Sequence, residues 1–393
     1  MFAAMLEKGA VSRAELSRLT GLSKQTTSEI AKVLEGAGWI RLCGQTQGAV
    51  GRRATTYELD ERSAYVVGVD LGGTKVNVAV ASLLGTIVGE ATLATDRRGG
   101  LHVVRQIKDV MLDVAAKGGV DPSLIRCGAV GSPGVVQPAT GQIHLAPNIP
   151  GLDVIDVAGE LGRALGFPVV IENDVNVAAV GERQQGERRH VMDMAFIALG
   201  TGIGMGIVAN GQLIQGSRGG AGEIAYLPIG GDPFDSRGFR LGTLETAIGS
   251  AAIVDRFRSL GGEADDVRGV FDRLDAGDPA AAMTIDETAR IFVHAIMAVR
   301  AVLDPEIIVL GGSIGARAEL LERVRTLAAR FLGSRPAIEK SLLGSRAVLV
   351  GAVELAVSSL QRSLFDPFAP APDARFAPRS FQLNGPGEPR RAG

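Results

Sequence analysis

The sequence predicts a mixed α/β protein that opens with a winged helix-turn-helix, and three observations lead there. Residues 12–38 read as helix, glycine turn, helix. Two strand-like runs follow, separated by a glycine-rich connection. From Tyr65 onward the chain changes to apolar strands broken by tight glycine turns. With 393 residues, 46% of them hydrophobic, and a formal charge of −2, the chain can bury two or three domain cores.

The first helix signal is Ser12-Arg-Ala-Glu15, the spacing of a capping box, and this helix should end near Gly21. A second helix should start from Ser23 and carry Thr26, Ile30, Val33, Leu34 and Ala37 on one face, stopping at Gly36 and Gly38. The runs Trp39–Cys43 and Ala54–Leu59 then read as a hairpin whose connection ends in Gly51-Arg52-Arg53. Residues 1–58 hold eight basic and five acidic side chains, so this segment is locally basic. In such a motif the start of the second helix enters the major groove, presenting Ser23, Lys24, Gln25, Thr27 and Ser28 to double-stranded DNA. Gln25 can pair bidentately with adenine, while Arg52 and Arg53 suit phosphate or the minor groove. A small basic helical domain that binds another protein is the competing reading.

The remaining chain holds three glycine elements. Val66–Asp70 runs into Leu-Gly72-Gly73-Thr74-Lys75 and a second strand, a hairpin rather than the strand-to-helix turn of a P-loop. Glycines let backbone approach a phosphate, Thr74 offers a hydroxyl, and Asp70 sits where it could hold a metal ion. Gly200-Thr201-Gly202 is a second such turn, and Gly311-Gly312 after the strand Ile307–Leu310 is a third. Between them lie groups suited to a polyol: Gly131–Gly134, Pro147-Asn148 and Ile171-Glu-Asn173-Asp174-Val-Asn176. The Glu-Asn-Asp step after a strand also suits a helix cap, and that alternative stays open.

The order of these motifs resembles the ROK family, within the actin-like ATPase and sugar-kinase superfamily. Ser12-Arg-Ala-Glu-Leu16 and Gly21-Leu-Ser23 resemble the N-terminal domain of ROK regulators, with Arg53 where the family pattern has proline and a short opening helix at Phe2–Lys8. The resemblance implies two α/β lobes around a cleft, at about 61–185 and 186–364 after a DNA-binding domain at 1–60. The last helix of the second segment can return to the first lobe. It also implies phosphate contacts from Gly72, Gly73, Thr74, Gly200, Thr201 and Gly202, with Gly311 and Gly312 near adenosine. Asn148, Asn173, Asp174, Glu223 and Glu245 match the sugar positions, Tyr226 can offer a hydroxyl to a ligand where the family has histidine, and Asp174 matches the general base of the family's kinases. The family's zinc ligands are missing: Gly222–Tyr226 and Gly242–Glu245 carry neither the histidine nor the thiolates, so no zinc is expected. Asp232 and Asp235 read as a solvated turn. ATP and magnesium remain candidate cofactors.

Function therefore divides between a sugar-responsive DNA-binding regulator, most naturally a repressor acting as homodimer or homotetramer, and an ATP-dependent sugar kinase using Asp174. A sugar-sensing scaffold without DNA binding is a third reading. Cys43 and Cys127 are too few for a disulfide framework and are expected to be reduced, inert thiols in strand interiors. The uncharged stretches Cys127–Leu152 and Met194–Ser217 carry proline and glycine that argue against membrane helices, and the N-terminus lacks signal-peptide features, so the cytoplasm is expected. Residues 365–393, rich in proline, are expected to be disordered.

Overall fold

The structure is a computed structural model describing residues 1–47, 53–137, 140–144, 148–332 and 336–365. Arg52, Pro147 and the proline-rich segment from Asp366 lie outside the described residues, whereas Phe365 closes the last helix.

The N-terminal module runs α1 (Phe2–Lys8), β1 (Val11–Ser12), α2 (Arg13–Thr20), α3 (Lys24–Gly36), β2 (Ile40–Gln47) and β3 (Arg53–Leu59). Ser12 Oγ accepts the Glu15 N–H at 3.2 Å to start α2, and Gly21, at φ 71°, ends it in the left-handed region. Ser23 Oγ does the same for the Thr26 N–H at 3.1 Å. The strands form one antiparallel sheet in the order β1-β3-β2. One expectation fails here: α3 buries Thr27 and Ala31 and leaves Thr26 exposed and Val33 at 52% exposure. The small side chains are the ones that let α3 press against fully buried Leu16 of α2, which outweighs the greater hydrophobicity of Val33.

The first lobe contains β4 (Tyr65–Leu71), β5 (Lys75–Ser82), β6 (Ile87–Ala94), α4 (Gly100–Lys117), β7 (Ile125–Ser132), the short β8 (Val135–Val136) and β9 (Ile143–His144), α5 (Val157–Leu165), β10 (Val169–Asn173) and α6 (Asp174–Arg183). Its sheet order is β10-β7-β4-β5-β6, with β4, β5 and β6 antiparallel and β7 and β10 parallel to β4. The second lobe contains β11 (Met194–Leu199), β12 (Ile203–Ala209), β13 (Gln212–Leu213), α7 (Ser236–Leu241), α8 (Thr243–Ile248), α9 (Ser250–Ser259), α10 (Val267–Asp275), α11 (Pro279–Leu303), β14 (Ile307–Gly311), α12 (Ala318–Leu332) and β15 (Ala337–Lys340). Its order, β13-β12-β11-β14-β15, repeats the same mixture of antiparallel and parallel neighbours. The stretch Met194–Ser217 is thus largely strand, as its glycines suggest.

α13 (Ala347–Phe365) follows the second lobe but packs on β4 and β7 of the first, while α6 leaves the first lobe and packs on β11 and β12 of the second. The two helices cross each other between the sheets. Gly344–Leu364 is, among the described residues, the one helical stretch long and apolar enough to span a membrane by composition, and much of its apolar surface is covered by these contacts.

The chain passes between the lobes twice, and an ionic cluster joins the two passages. Glu182 is fully buried, accepting from Arg188 Nη1, from Ser341 Oγ and from the Leu342 and Leu343 N–H groups, the last two at 3.0 and 2.9 Å. Arg188 also donates to Glu339 and to the Lys340 carbonyl, each at 2.8 Å. Every donor and acceptor around this buried pair is matched, the condition under which buried charge is tolerated.

The N-terminal module shares a core with the first lobe. Met5, Leu16, Trp39, Tyr57 and Leu59 cluster with Val66 and Leu83 and with Leu349, Val353 and Leu360 of α13. The connection is polar as well: Glu61 Oε2 accepts the Ser82 and Thr86 hydroxyls at 3.0 and 2.8 Å. Both cysteines lie in strands. Cys127 is buried, which pushes its thiol up to about 12, whereas Cys43 is exposed, so the expectation of an interior position fails for it.

Candidate functional site

A cleft of about 820 Å³ lies where the ends of β10 and β11 face each other, lined by Asn173, Asp174, Gly200, Gly202, Glu223, Tyr226, Glu245 and Gly312 among others. It therefore draws together residues from 133 to 312, from both lobes. A second cavity of about 810 Å³ on the outer face of α9, α11 and α12 gathers none of these residues, and its charges are largely paired, as in Arg323–Asp286 and Arg290–Glu287.

The chemistry at the cleft floor begins with β10 running into α6. Asn173 caps α6: its Oδ1 accepts the Val175 and Asn176 N–H groups at 2.9 and 3.2 Å, and its Nδ2 donates to the Gly134 carbonyl at 2.9 Å. The helix-cap reading thus describes the Asn173 oxygen, while Nδ2 spends one of its two hydrogens on Gly134 and Asn173 still lines the cleft. Asp174, the first residue of α6, remains half-buried at the floor. Burial first, then the charges of Asp70 and Glu223, push its carboxyl up to about 6, against a hydrogen bond from the Val175 N–H. Asp70, at the end of β4, is also raised by burial, and is held by Asn77 Nδ2 at 2.7 Å; Thr92 Oγ1 in turn donates to Asn77 Oδ1 at 2.7 Å. Asn77 and Thr92, which sequence reasoning missed, orient Asp70.

The far wall carries two more carboxylates. Gly222, at φ +90°, takes a backbone conformation that a side chain would strain and places Glu223 beside Tyr226, which is 49% exposed. Glu223 is raised by partial desolvation. Glu245 accepts the Ile203 N–H at 3.2 Å, and a Cβ on Gly202 would overlap its carboxylate, so this acid is pressed onto the second glycine turn. Its carboxyl is raised by burial and by Glu223.

The two hairpin turns occupy equivalent places in the two lobes, after β4 and after β11. Thr74, Lys75 and Thr201 are exposed there, which fits an anionic ligand of phosphate type. Gly72, Gly73, Thr74, Lys75 and Thr201 do not themselves line the cavity, nor does Asn148, which is exposed and abuts Gly73: a Cβ on Gly73 would lie 2.8 Å from Asn148 Cβ. The third turn folds onto the second, since the Leu199 carbonyl accepts from Ile314 and Gly315 at 2.9 and 3.0 Å and Gly312 is at φ +79°. Gly311 faces inward instead, where any Cβ would meet the Phe196 ring. Among the described residues no group of three or more His, Cys, Asp and Glu forms a metal-binding cluster.

In the N-terminal module the structure separates the groove-facing candidates. Lys24 and Gln25 are exposed, with Gln25 Nε2 donating to Glu29 at 3.1 Å. Ser23 is the helix cap and Ser28 accepts from Arg13 Nη1 at 3.3 Å. Thr27 is fully buried and cannot reach DNA, because α3 turns that face toward α2. Arg53 starts β3, and Arg52 lies outside the described residues.

Two α/β lobes of matching topology, facing glycine turns and an acid-lined cleft define the actin-like sugar-kinase class of fold. The chain belongs to the ROK family, whose model matches residues 66–359. It is 25% identical over 381 residues to the xylose repressor of Caldicellulosiruptor bescii, covering 91% of this chain and 94% of that protein. It is 33% identical over 278 residues to a glucokinase of Halalkalibacterium halodurans, covering 65% of this chain and 82% of that one. The crystal structure of a ROK family transcriptional regulator, a homolog of the E. coli MLC protein, superposes with a TM-score of 0.71 over 91% of this chain and 97% of that one, at 22% identity, which is a likeness of fold.

Proposed function

We propose that this chain is a sugar-responsive, DNA-binding transcriptional regulator, acting as a repressor, whose N-terminal module is a winged helix-turn-helix. One observation carries the reading: the likeness to the xylose repressor covers 91% of this chain and 94% of that protein, whereas the likeness to the glucokinase covers 65% of this chain. In this reading α3 lies in the major groove with Lys24 and Gln25 toward DNA, and the hairpin residues Arg52 and Arg53 meet the backbone. A sugar or sugar phosphate enters the cleft and favours one arrangement of the lobes. Because α6 begins at Asp174 and crosses α13, and α13 shares a core with the N-terminal module, lobe movement reaches the DNA-binding surface through packed contacts. The working form is a cytoplasmic homodimer or homotetramer on a two-fold operator, without a structural zinc.

A mobility-shift titration on the DNA upstream of its own reading frame tests this, with D-xylose, D-glucose and N-acetylated hexosamines added in turn. Specific binding that one sugar shifts by tenfold or more is expected. Binding to that DNA no tighter than to random duplex would overturn the reading.

A second reading, an ATP-dependent sugar kinase, is favoured by the raised Asp174 carboxyl, poised to accept a proton near neutral pH. ATP would supply the phosphoryl group and magnesium the charge neutralisation. Of the chain's own groups, Thr74, Lys75 and the N–H groups of Gly73, Thr201 and Gly202 would hold phosphates, the Gly72 and Gly200 N–H groups closing the two turns on the Lys75 and Gly202 carbonyls at 2.9 Å; Gly312 would border the nucleoside and Asp70 would face the metal. Sugar-dependent ADP release that Asp174→Asn abolishes is the result this reading requires.

A further inference from the structure

Behind Asp174 the cleft contains an acceptor that nothing in the fold satisfies. Asn176 is 2% exposed, yet it reaches the cleft wall, and its Oδ1 is buried with no hydrogen-bond partner. Its orientation is set by chemistry. Nδ2 donates to Glu172 Oε1 at 2.9 Å, and a carboxylate accepts only from the nitrogen end of the amide, so the oxygen must point away from Glu172. Glu172, itself 4% exposed, is fixed in turn: Oε1 also accepts the Asn173 N–H at 2.8 Å, and Oε2 accepts Gln215 Nε2 from the second lobe. The chain Gln215–Glu172–Asn176 therefore ties the two lobes together behind the cleft and ends, at the one member that lines it, in an unpartnered carbonyl oxygen.

We infer that Asn176 Oδ1 is a specificity-determining acceptor for one hydroxyl of a polyol ligand, rigidly aimed by Glu172 and Gln215. This rests on the sugar-binding reading above and gives a definite role to Asn176, which lies in the polyol-suited segment of the sequence but not among the residues that the family resemblance matches to sugar positions. A buried carbonyl left without a donor is destabilising, a penalty the correct hydroxyl removes and a deoxygenated ligand leaves in place. Sites built this way discriminate by the absence of a hydroxyl much more sharply than by the absence of a methylene. Because Gln215 comes from the opposite lobe, the acceptor is held in register only when the lobes stand as they do here.

The test is calorimetric titration of the full chain with D-xylose and D-glucose, then with every monodeoxy analogue of whichever binds. One analogue should bind at least about tenfold more weakly than its parent in the native protein. In Asn176→Ala that one ratio should collapse toward unity, while the ratios at other positions persist. Should Asn176→Ala not fold, Asn176→Ser and Gln215→Ala give the same comparison. Ratios unchanged in every variant would overturn the inference. If neither sugar binds, it is the sugar reading that fails. The inference falls with that reading, whereas unchanged ratios for a sugar that does bind overturn the inference alone.

Discussion

Gly181 of α6 and Gly351 of α13 meet backbone to backbone. A Cβ on Gly181 would stand 2.6 Å from the Ala347 carbonyl oxygen and 2.8 Å from Gly351 N, and one on Gly351 would overlap the Val177 carbonyl. The crossing lies one residue from the buried Glu182, so the pivot of two helices and the pin across two interlobe passages coincide. Gly351→Ala is expected to lower stability by about 3 kcal/mol through overpacking against rigid backbone, with Gly181→Ala somewhat milder. Urea unfolding of both variants measures this, and an unchanged midpoint for Gly351→Ala would contradict the close crossing.

The Glu182–Arg188 pair should be more sensitive still. Arg188→Met leaves a fully buried carboxylate with only neutral donors, and breaking a buried pair in this way costs about 3–5 kcal/mol. The loss should be smaller in Glu182→Gln/Arg188→Met than in Arg188→Met alone. Additive losses in that double variant would show that the two side chains do not interact.

Asp174 sets a pH dependence of definite sign. Its carboxyl stands at about 6 in the folded chain against an ordinary 3.8, so protonation is favoured by folding and the native state is destabilised as pH rises through 6. Asp70, Glu223 and Glu245 are raised as well and act in the same direction. Asp174→Asn should therefore be more stable than the parent at pH 7.5, by roughly 1–2 kcal/mol after allowance for solvent screening, and no more stable at pH 4. Thermal melts across this range check the sign, and a variant destabilised at pH 7.5 would refute it.

For the N-terminal module, Gln25→Ala should cost about 1–3 kcal/mol on specific DNA and relax the preference at one adenine, and Lys24→Ala should lower the salt slope by about 1. Thr27→Val, by contrast, removes a buried hydroxyl that has no partner and should leave DNA affinity unchanged without loss of stability. A fall in affinity for Thr27→Val would mean that α3 presents a different face to the groove.

Metal analysis of the purified protein is expected to find well under one zinc per chain, since Tyr226 and the segment Gly230–Gly238 offer neither imidazole nor thiolate. Stoichiometric zinc would require ligands drawn from elsewhere in the chain.

What was legible in the sequence was local. Ser12 with Glu15, Ser23 with Thr26, and the strand–glycine–strand steps at 70–75 and 199–203 involve neighbours only a few residues apart, so spacing alone reveals them. The rotation of α3 was not legible, because Thr27 and Ala31 are buried by close approach to α2 and not by their own hydrophobicity. Nor was the double use of Asn173, whose motif reads equally as ligand or cap until Gly134 is seen to accept from it. Gln215 with Glu172, Glu182 with Leu342, and Gly181 with Gly351 join residues far apart in the chain, and no periodicity encodes such pairs.

The shared core of the N-terminal module also limits how such a protein can diversify. Trp39, Tyr57 and Leu59 pack in the same cluster as Leu349, Val353 and Leu360, so the two ends of the chain must change together. Grafting the first sixty residues of a relative onto this body would leave mismatched apolar surfaces unless the matching face of α13 came with them. On the repressor reading proposed above, new operator preferences are therefore more readily reached by substitution at the exposed start of α3 than by recombination of whole domains.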